Sequence, residues 1–417
     1  MNQFEIAKKL LLTIVEKDMT FSVAKRNILY KLDVDNVIKG HVSDLVGCEL
    51  RHHLVNDSLI SRFFDEMEFE KTIYLRFAIA NHLYLRRFNE KELLELAYKD
   101  LDKDKISTLF EFIDSTNEII PPDLDKTSPE FLSIRYNTPA WVIRMWQKQF
   151  GKGVVFKTLK VNYRQRTLTF RVNPHSVDID EFVGKHPDFS KCPIDGMMVY
   201  QGRGNPKNLP EYKSNDIFLM KMATKYVLDQ LDLDPLKGIA VYTEVANNIY
   251  LDLISRFGKG VNLDLVVNHP SYFFETRRHI QEKGYSHIYI YESEVSGLIT
   301  CLSKKVHTFI CMPKSTSLDL LRTTPDYFLK IKQNQLDDIL ASEMSSLEES
   351  ANFVEAGGEL IYMISTMSRK ESNSLIANFL IKHPEFSLVE EKQFFPFEIY
   401  DSCLYYARLK KAEEPSD

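Results

Sequence analysis

The chain has 417 residues, 44% of them hydrophobic and 27% charged, with a formal net charge of -6. That length accommodates two or three domains with substantial cores, and the composition excludes disordered, collagen-like and small disulfide-stapled classes. No apolar run approaches the roughly eighteen residues of a membrane span, and Glu5, Lys8, Lys9, Glu16, Lys17 and Asp18 crowd the first twenty positions; neither a span nor a signal peptide is expected, and the expected location is cytoplasmic.

Residues 1–125 read as a helical domain. Phe4, Ala7, Leu11 and Ile14 recur at spacings of three and four, stretches 73–83 and 92–98 are similarly helix-like, and Pro121 with Pro122 ends the region. The next part, 131–230, is basic, with 16 Lys and Arg against 8 Asp and Glu, while the chain before it (18 against 24) and after it (19 against 27) is acidic. From Phe131 through Val177 there is no acid, yet nine basic residues occur, interleaved with Tyr136, Trp141, Trp146, Phe150, Phe156 and Tyr163. Such one-sided charge suits a surface that tracks phosphates. Arg135, Arg144, Lys148, Lys160, Arg164, Arg166 and Arg171 are the expected phosphate contacts; Tyr136 and Trp141 read first as packing and only second as stacking rings. Pro139 stands near the start of an amphipathic helix within 133–150, and 161–172 alternates as a strand does, so this part is mixed α and β.

From about Pro235 the pattern is apolar strand, helix, apolar strand. Short β-prone runs at 238–242, 263–267, 287–291, 308–312 and 359–364, with helical stretches between, predict an α/β, doubly wound, mostly parallel sheet. Ligands of such sheets bind beyond the carboxyl ends of the strands. Other candidates are weak. The five cysteines lack a C-x-x-C pair and the histidines an H-x-x-x-H pair, so no metal is expected. GRGNPK from Gly202 lacks phosphate-loop spacing and reads as a surface turn, and the acidic run 343–355 reads as an exposed helix. Glycine, at 15 residues, is scarce for a chain that must wrap a nucleotide in backbone.

Several strings resemble one family. RYNTPAWVIRMWQKQF from Arg135 is similar to the R-Y-x-x-P-x-W-[LV] segment of the Sun/RsmB family of rRNA cytosine-C5 methyltransferases, and RVNP from Arg171 to the R-[IV]-N that follows it. VSDLVGCELRHHLVNDSLI from Val42 resembles the helix ending in G-x-x-R of that family's NusB-like domain. AGGELIYMISTMSRKESNSLIANFL from Ala356 resembles G-G-x-L-V-Y-x-T-C-S-x-x-x-x-E-N, and CLYYARLKK from Cys403 the closing strand. The resemblance implies three parts: a NusB-like helical domain over 1–125, a small α+β RNA-contacting subdomain over 131–230, and a Rossmann-like class I methyltransferase core over 231–417 that would use S-adenosylmethionine.

The family's reactive motifs do not follow. Where the cofactor loop D-x-C-A-A-P-G-G-K belongs, the chain reads VYTEVANNI from Val241, with Asn247 and Asn248 at the glycines and Glu244 adding negative charge. The acid expected after the second strand is replaced by Val267 or Asn268. At the adenine end the ungapped position is Ser293, with Glu292 and Glu294 beside it. Methylation at C5 needs a soft nucleophile such as a thiolate to add to C6. Ungapped matching puts Ser365 and Lys314 at the two family cysteines and Cys311 at the aspartate of D-A-P-C-S; Pro313 and Ser315 hold that register, and a shift by two brings only Met367. The expectation is therefore an RNA-binding protein without catalysis and without a cofactor, its partner rRNA or a ribosomal assembly intermediate. An active S-adenosylmethionine-dependent enzyme with altered motifs is the alternative, and a protein-interaction scaffold using the acidic flanks a third.

Overall fold

Asn2 opens the chain's first helix with a closed capping box: its side chain accepts from the Phe4 and Glu5 amides, and Glu5 accepts from the Asn2 amide in return. That helix, α1 (Gln3–Glu16), buries Phe4, Ala7, Leu11 and Ile14, the stripe expected from their spacing. The computed structural model describes residues 2–17, 19–116, 118–162, 167–316, 324–329, 335–399 and 402–413. The chain falls into two units, Met1–Arg164 with Leu320–Lys332, and Gln165–Asp319 with Gln333–Asp417.

In the first unit α1 is followed by α2 (Phe21–Asn27), α3 (Asn36–Arg51), α4 (His53–Phe63), α5 (Phe69–Ala80), α6 (Glu90–Ala97) and α7 (Lys103–Ser115) around an apolar core. A buried polar knot pins three of them. The Glu49 carboxylate of α3 takes hydrogen bonds from Asn56 and Arg76 (3.3 Å from Nη1) and pairs with His53 Nδ1 at 2.8 Å, and Arg76 of α5 also reaches Asp57 of α4. Three more helices follow in this unit: α8 (Pro129–Tyr136), α9 (Ala140–Phe150) and α10 (Lys152–Asn162). Asn137 ends α8 in the left-handed region (φ 48°), and its side chain bridges the Leu50 carbonyl and the Leu54 amide where α3 meets α4. Gly151, at φ 82°, supplies the turn from α9 into α10.

The second unit holds two sheets. The smaller is antiparallel, in the order β2-β3-β1-β4, from β1 (Leu168–Val172), then α11 (Ile179–Lys185), β2 (Phe189–Lys191), β3 (Met197–Tyr200), α12 (Pro210–Lys213) and β4 (Ile217–Leu219). After α13 (Met222–Gln230) come β5 (Ile239–Thr243), α14 (Ile249–Phe257), β6 (Leu263–Val267), α15 (Pro270–Lys283), β7 (Ile288–Glu292), α16 (Leu298–Cys301), β8 (Val306–Met312), α17 (Leu336–Ala351), β9 (Val354–Ile364), α18 (Asn373–Lys382), β10 (Phe386–Phe394) and β11 (Leu404–Lys411). Their sheet runs β10-β11-β9-β8-β5-β6-β7, with β5 to β9 parallel and β11 antiparallel to both β9 and β10: the doubly wound, mostly parallel α/β sheet expected from the apolar runs, in the Rossmann-like form that the resemblance implies.

Several expectations need correction. Residues 161–162 close α10 instead of starting a strand, and β1 does not alternate, because both its faces are covered from Thr169 to Val172. Phe170 packs with Phe182 and Phe189, while Arg171 on the other face is 7% exposed. The basic stretch is itself divided, its helices lying in the first unit and its strands in the second. Helix α17 is not a wholly exposed acidic helix, since Glu343, Ser346, Leu347 and Ser350 point into the core.

Candidate functional site

The order of the parallel strands reverses between β5 and β8, and the carboxyl ends of β5, β6, β8 and β9 surround that switch point. Four loops leave from there, carrying Glu244 to Asn248, Asn268, Pro313 to Thr316, and Ser365 onward.

The loop after β5 satisfies itself. Thr243 Oγ1 accepts from the Val245 amide and donates to the Val245 carbonyl. Asn247 Nδ2 donates to Thr243 Oγ1 at 2.9 Å and to the Val245 carbonyl at 3.0 Å, while its Oδ1 takes the Ile249 amide at the start of α14. Asn248 Nδ2 is held by the Leu219 carbonyl. Glu244 lies across the switch point: one carboxylate oxygen accepts from Tyr242 Oη (2.9 Å) and Asn268 Nδ2 (3.2 Å), the other from the Lys314 amide (2.8 Å). Val241 and Val267 are buried strand residues, and Ser293 Oγ donates to the neighbouring Glu294 carbonyl. A carboxylate thus lies at the switch point, Asn268 follows β6, and the Val245 and Ile249 amides of the β5 loop are bound to the loop's own side chains.

The positions of nucleophile and base are equally altered. Cys311, within β8, is buried; its thiol donates to the Ser346 carbonyl at 3.5 Å, and burial pushes its pKa up to about 12, so it supplies no thiolate. Lys314 has an exposed side chain. Ser365 is half-buried, its hydroxyl accepting a hydrogen bond from Lys221 Nζ at 2.8 Å and its carbonyl from Ser315 Oγ at 2.8 Å. Behind it Glu371 collects the Thr316 amide, Thr316 Oγ1 and Thr366 Oγ1, tying the loop after β8 to the one after β9. Sequence reasoning missed Lys221, which stands 144 residues from Ser365 in a stretch without a motif. The ammonium gives Ser365→Cys a definite expectation: a cation that close stabilises a thiolate. Alkylation by iodoacetamide at pH 7, read at position 365 by mass spectrometry, is expected to run at least about ten times faster than in Ser365→Cys/Lys221→Met. Equal rates would remove the ammonium from this account.

The expected RNA contacts separate. Arg135, Arg144, Lys148 and Lys160 are exposed on α8, α9 and α10, with Arg144 paired to Glu130. Trp146 is core, and Tyr136 and Trp141 are half-buried. Arg164 and Arg166 lie outside the described residues. Arg171 does not face solvent: its guanidinium is bound to Asp252 at 3.0 Å and to the carbonyls of Val172 and Gly196, a structural role in place of the phosphate contact expected of it. Among the described residues no group of three or more His, Cys, Asp or Glu side chains is arranged to hold a metal, and no helix is long and apolar enough to cross a membrane.

No protein-family model matches the chain. In sequence it is similar to the probable ribosomal RNA small subunit methyltransferase B of Bacillus subtilis (strain 168), 19% identical over 402 residues that cover 92% of this chain and 89% of that protein. In fold it matches the crystal structure of PH0851, with a TM-score of 0.76 over 99% of both chains at 16% identity. It also matches NSun6 from Pyrococcus horikoshii, solved with SFG, with a TM-score of 0.57 over 65% of this chain and 98% of that one at 11% identity. At such identities the structural matches establish the fold alone, and the family likeness rests on the sequence match and the motifs it contains. Along nine-tenths of its length this chain is similar in sequence to a Sun/RsmB-type ribosomal RNA methyltransferase.

Proposed function

We propose that this protein binds RNA, rRNA or a ribosomal assembly intermediate, and does not methylate it. The observation that carries the reading is Glu244, whose carboxylate is held across the switch point by Tyr242, Asn268 and Lys314. A carboxylate fixed there repels the carboxylate of an amino-acid-bearing cofactor and occupies hydrogen-bond donors that such a ligand would need. Ser365 beside a lysine supports the same conclusion, since addition to C6 of a pyrimidine calls for a soft nucleophile. The RNA half of the reading is supported by the exposed cations of α8 to α10 and by what the Bacillus subtilis relative is named for acting on.

Two measurements on the full chain test it. S-adenosylmethionine at about 1 mM is expected to leave the melting temperature unchanged, whereas a ligand at a hundred times its dissociation constant would add about 2.7 kcal/mol. Filter binding of rRNA fragments is expected to weaken steeply with salt, and Arg144→Glu/Lys148→Glu to weaken it further; each lost phosphate contact lowers the slope of log affinity against log salt by roughly 0.7 to 0.9. A thermal shift with the cofactor overturns the reading that the protein does not methylate, and salt-insensitive or absent RNA binding overturns the RNA half.

A further inference from the structure

We propose that the exposed stripe of α10 is a site for unpaired RNA, in which Phe156 stacks on a base and the lysines one turn to either side hold the flanking phosphates; this rests on the RNA-binding reading above. On an α-helix, residues four apart lie nearly one above the other, about 6 Å along the axis. Lys152, Phe156 and Lys160 follow that spacing and are all solvent-exposed, while Val155, Thr158 and Leu159 turn inward to hold the helix against its unit. Phe156 is 41% exposed, an uncommon state for a phenylalanine in a helix that already has an apolar inner face. Its surroundings keep it oriented. Tyr136 of α8 meets it edge-on with ring centroids 6.3 Å apart, and Lys160 Nζ stands 4.3 Å from the ring centroid.

A cation over a ring that is flanked by further cations is the arrangement a single strand requires. The ring offers a π-face to any base, and the ammonium moves from the ring to a phosphate when a base takes its place. A duplex cannot use the ring, because its bases are already stacked and the major groove of an A-form helix is too narrow to admit it. The helix contains no acid, and of the nearby carboxylates Glu130 is paired with Arg144. Asp125 lies close enough to Lys152 to feel its charge, so the Lys152 contact is the weaker of the two.

The experiment compares the full-length protein with Phe156→Leu and Phe156→Trp on a twelve-nucleotide oligouridine and on a twelve-base-pair RNA duplex, by filter binding at fixed salt. Leucine keeps an apolar side chain but has no ring, so Phe156→Leu is expected to lose about ten-fold or more on oligouridine and less than about two-fold on the duplex. Phe156→Trp is expected to match or exceed the parent on oligouridine. Phe156 is not one of the buried core residues, so melting temperatures of all three proteins should differ little. Equal oligouridine affinity for the parent and Phe156→Leu, or equal losses on strand and duplex, overturns the stacking site and leaves the RNA-binding reading standing. A parent protein that binds neither RNA overturns that reading and the stacking site with it.

Discussion

Asp252→Ala is expected to destabilise the second unit by about 3–5 kcal/mol, the loss typical of breaking a buried ion pair from one side. Asp252 is fully buried on α14 and holds two guanidinium groups, Arg171 of β1 through Oδ1 and Arg256 through Oδ2. Arg256 continues to Asp229 of α13, which also binds Lys225. The chain of charges thus fastens the small antiparallel sheet to two helices of the parallel one. Alanine at 252 removes the acceptor at its centre and leaves Arg171 desolvated and uncompensated, which costs far more than the pair contributes. For a unit of this size the loss corresponds to a melting temperature lower by about 10 °C. Both tryptophans, Trp141 and Trp146, lie in the first unit, so their fluorescence follows that unit while calorimetry reports on both. The shift is therefore expected in the calorimetric transition that tryptophan fluorescence does not track. Replacing Arg171 and Asp252 together, as Arg171→Met/Asp252→Leu, should recover part of the loss, because an apolar pair of similar volume needs no counter-charge and Arg256, which loses Asp252, keeps Asp229. A loss below about 1 kcal/mol for Asp252→Ala would place this ion pair with the weak surface kind.

How much of this was legible in the sequence follows from how local each signal is. The parallel strands β5, β6, β8 and β9 announce themselves because they are inner strands covered on both faces and read as apolar runs, while β7, at the sheet edge and only partly buried, is legible from its isoleucines and tyrosines. Strand β10 went unnoticed: it lies at the sheet edge, and most of its residues, including Ser387, Glu390 and Glu391, face solvent. The missing thiols and glycines were equally plain, being absences at motif positions. What replaced them was not, for Lys221 meets Ser365, and Lys314 meets Glu244, only through the fold. Arg171 shows the limit of charge counting. It shares a run of cations with Arg144 and Lys160, yet the sheet turns it inward, and only its buried partner at Asp252 decides that it is structural.

Glu343→Gln should make the protein more stable, by an amount that grows with pH. Glu343 sits on the inner face of α17, fully buried, with the Glu371 side chain as its polar neighbour. Burial first, and then the Glu371 carboxylate nearby, push its pKa up to about 11. The folded protein therefore keeps a proton on Glu343 from the ordinary carboxyl range up to about pH 11, whereas the unfolded chain releases it near the model-peptide value of about 4.3. Between those limits folding takes up a proton, so this group's contribution is fully present in acid and declines by up to about 1.4 kcal/mol per pH unit as the medium becomes alkaline. Glutamine mimics the neutral acid in shape and carries no such dependence. The variant should match the parent near pH 4 and exceed it by about 3 kcal/mol at pH 7, read from denaturant midpoints across that range. Glu343→Ala separates charge from packing, since it removes the titration but opens a cavity and is expected to lose stability already in acid. Parallel pH profiles for the parent and Glu343→Gln would mean that Glu343 is ionised in the fold, and that a cation balances it there.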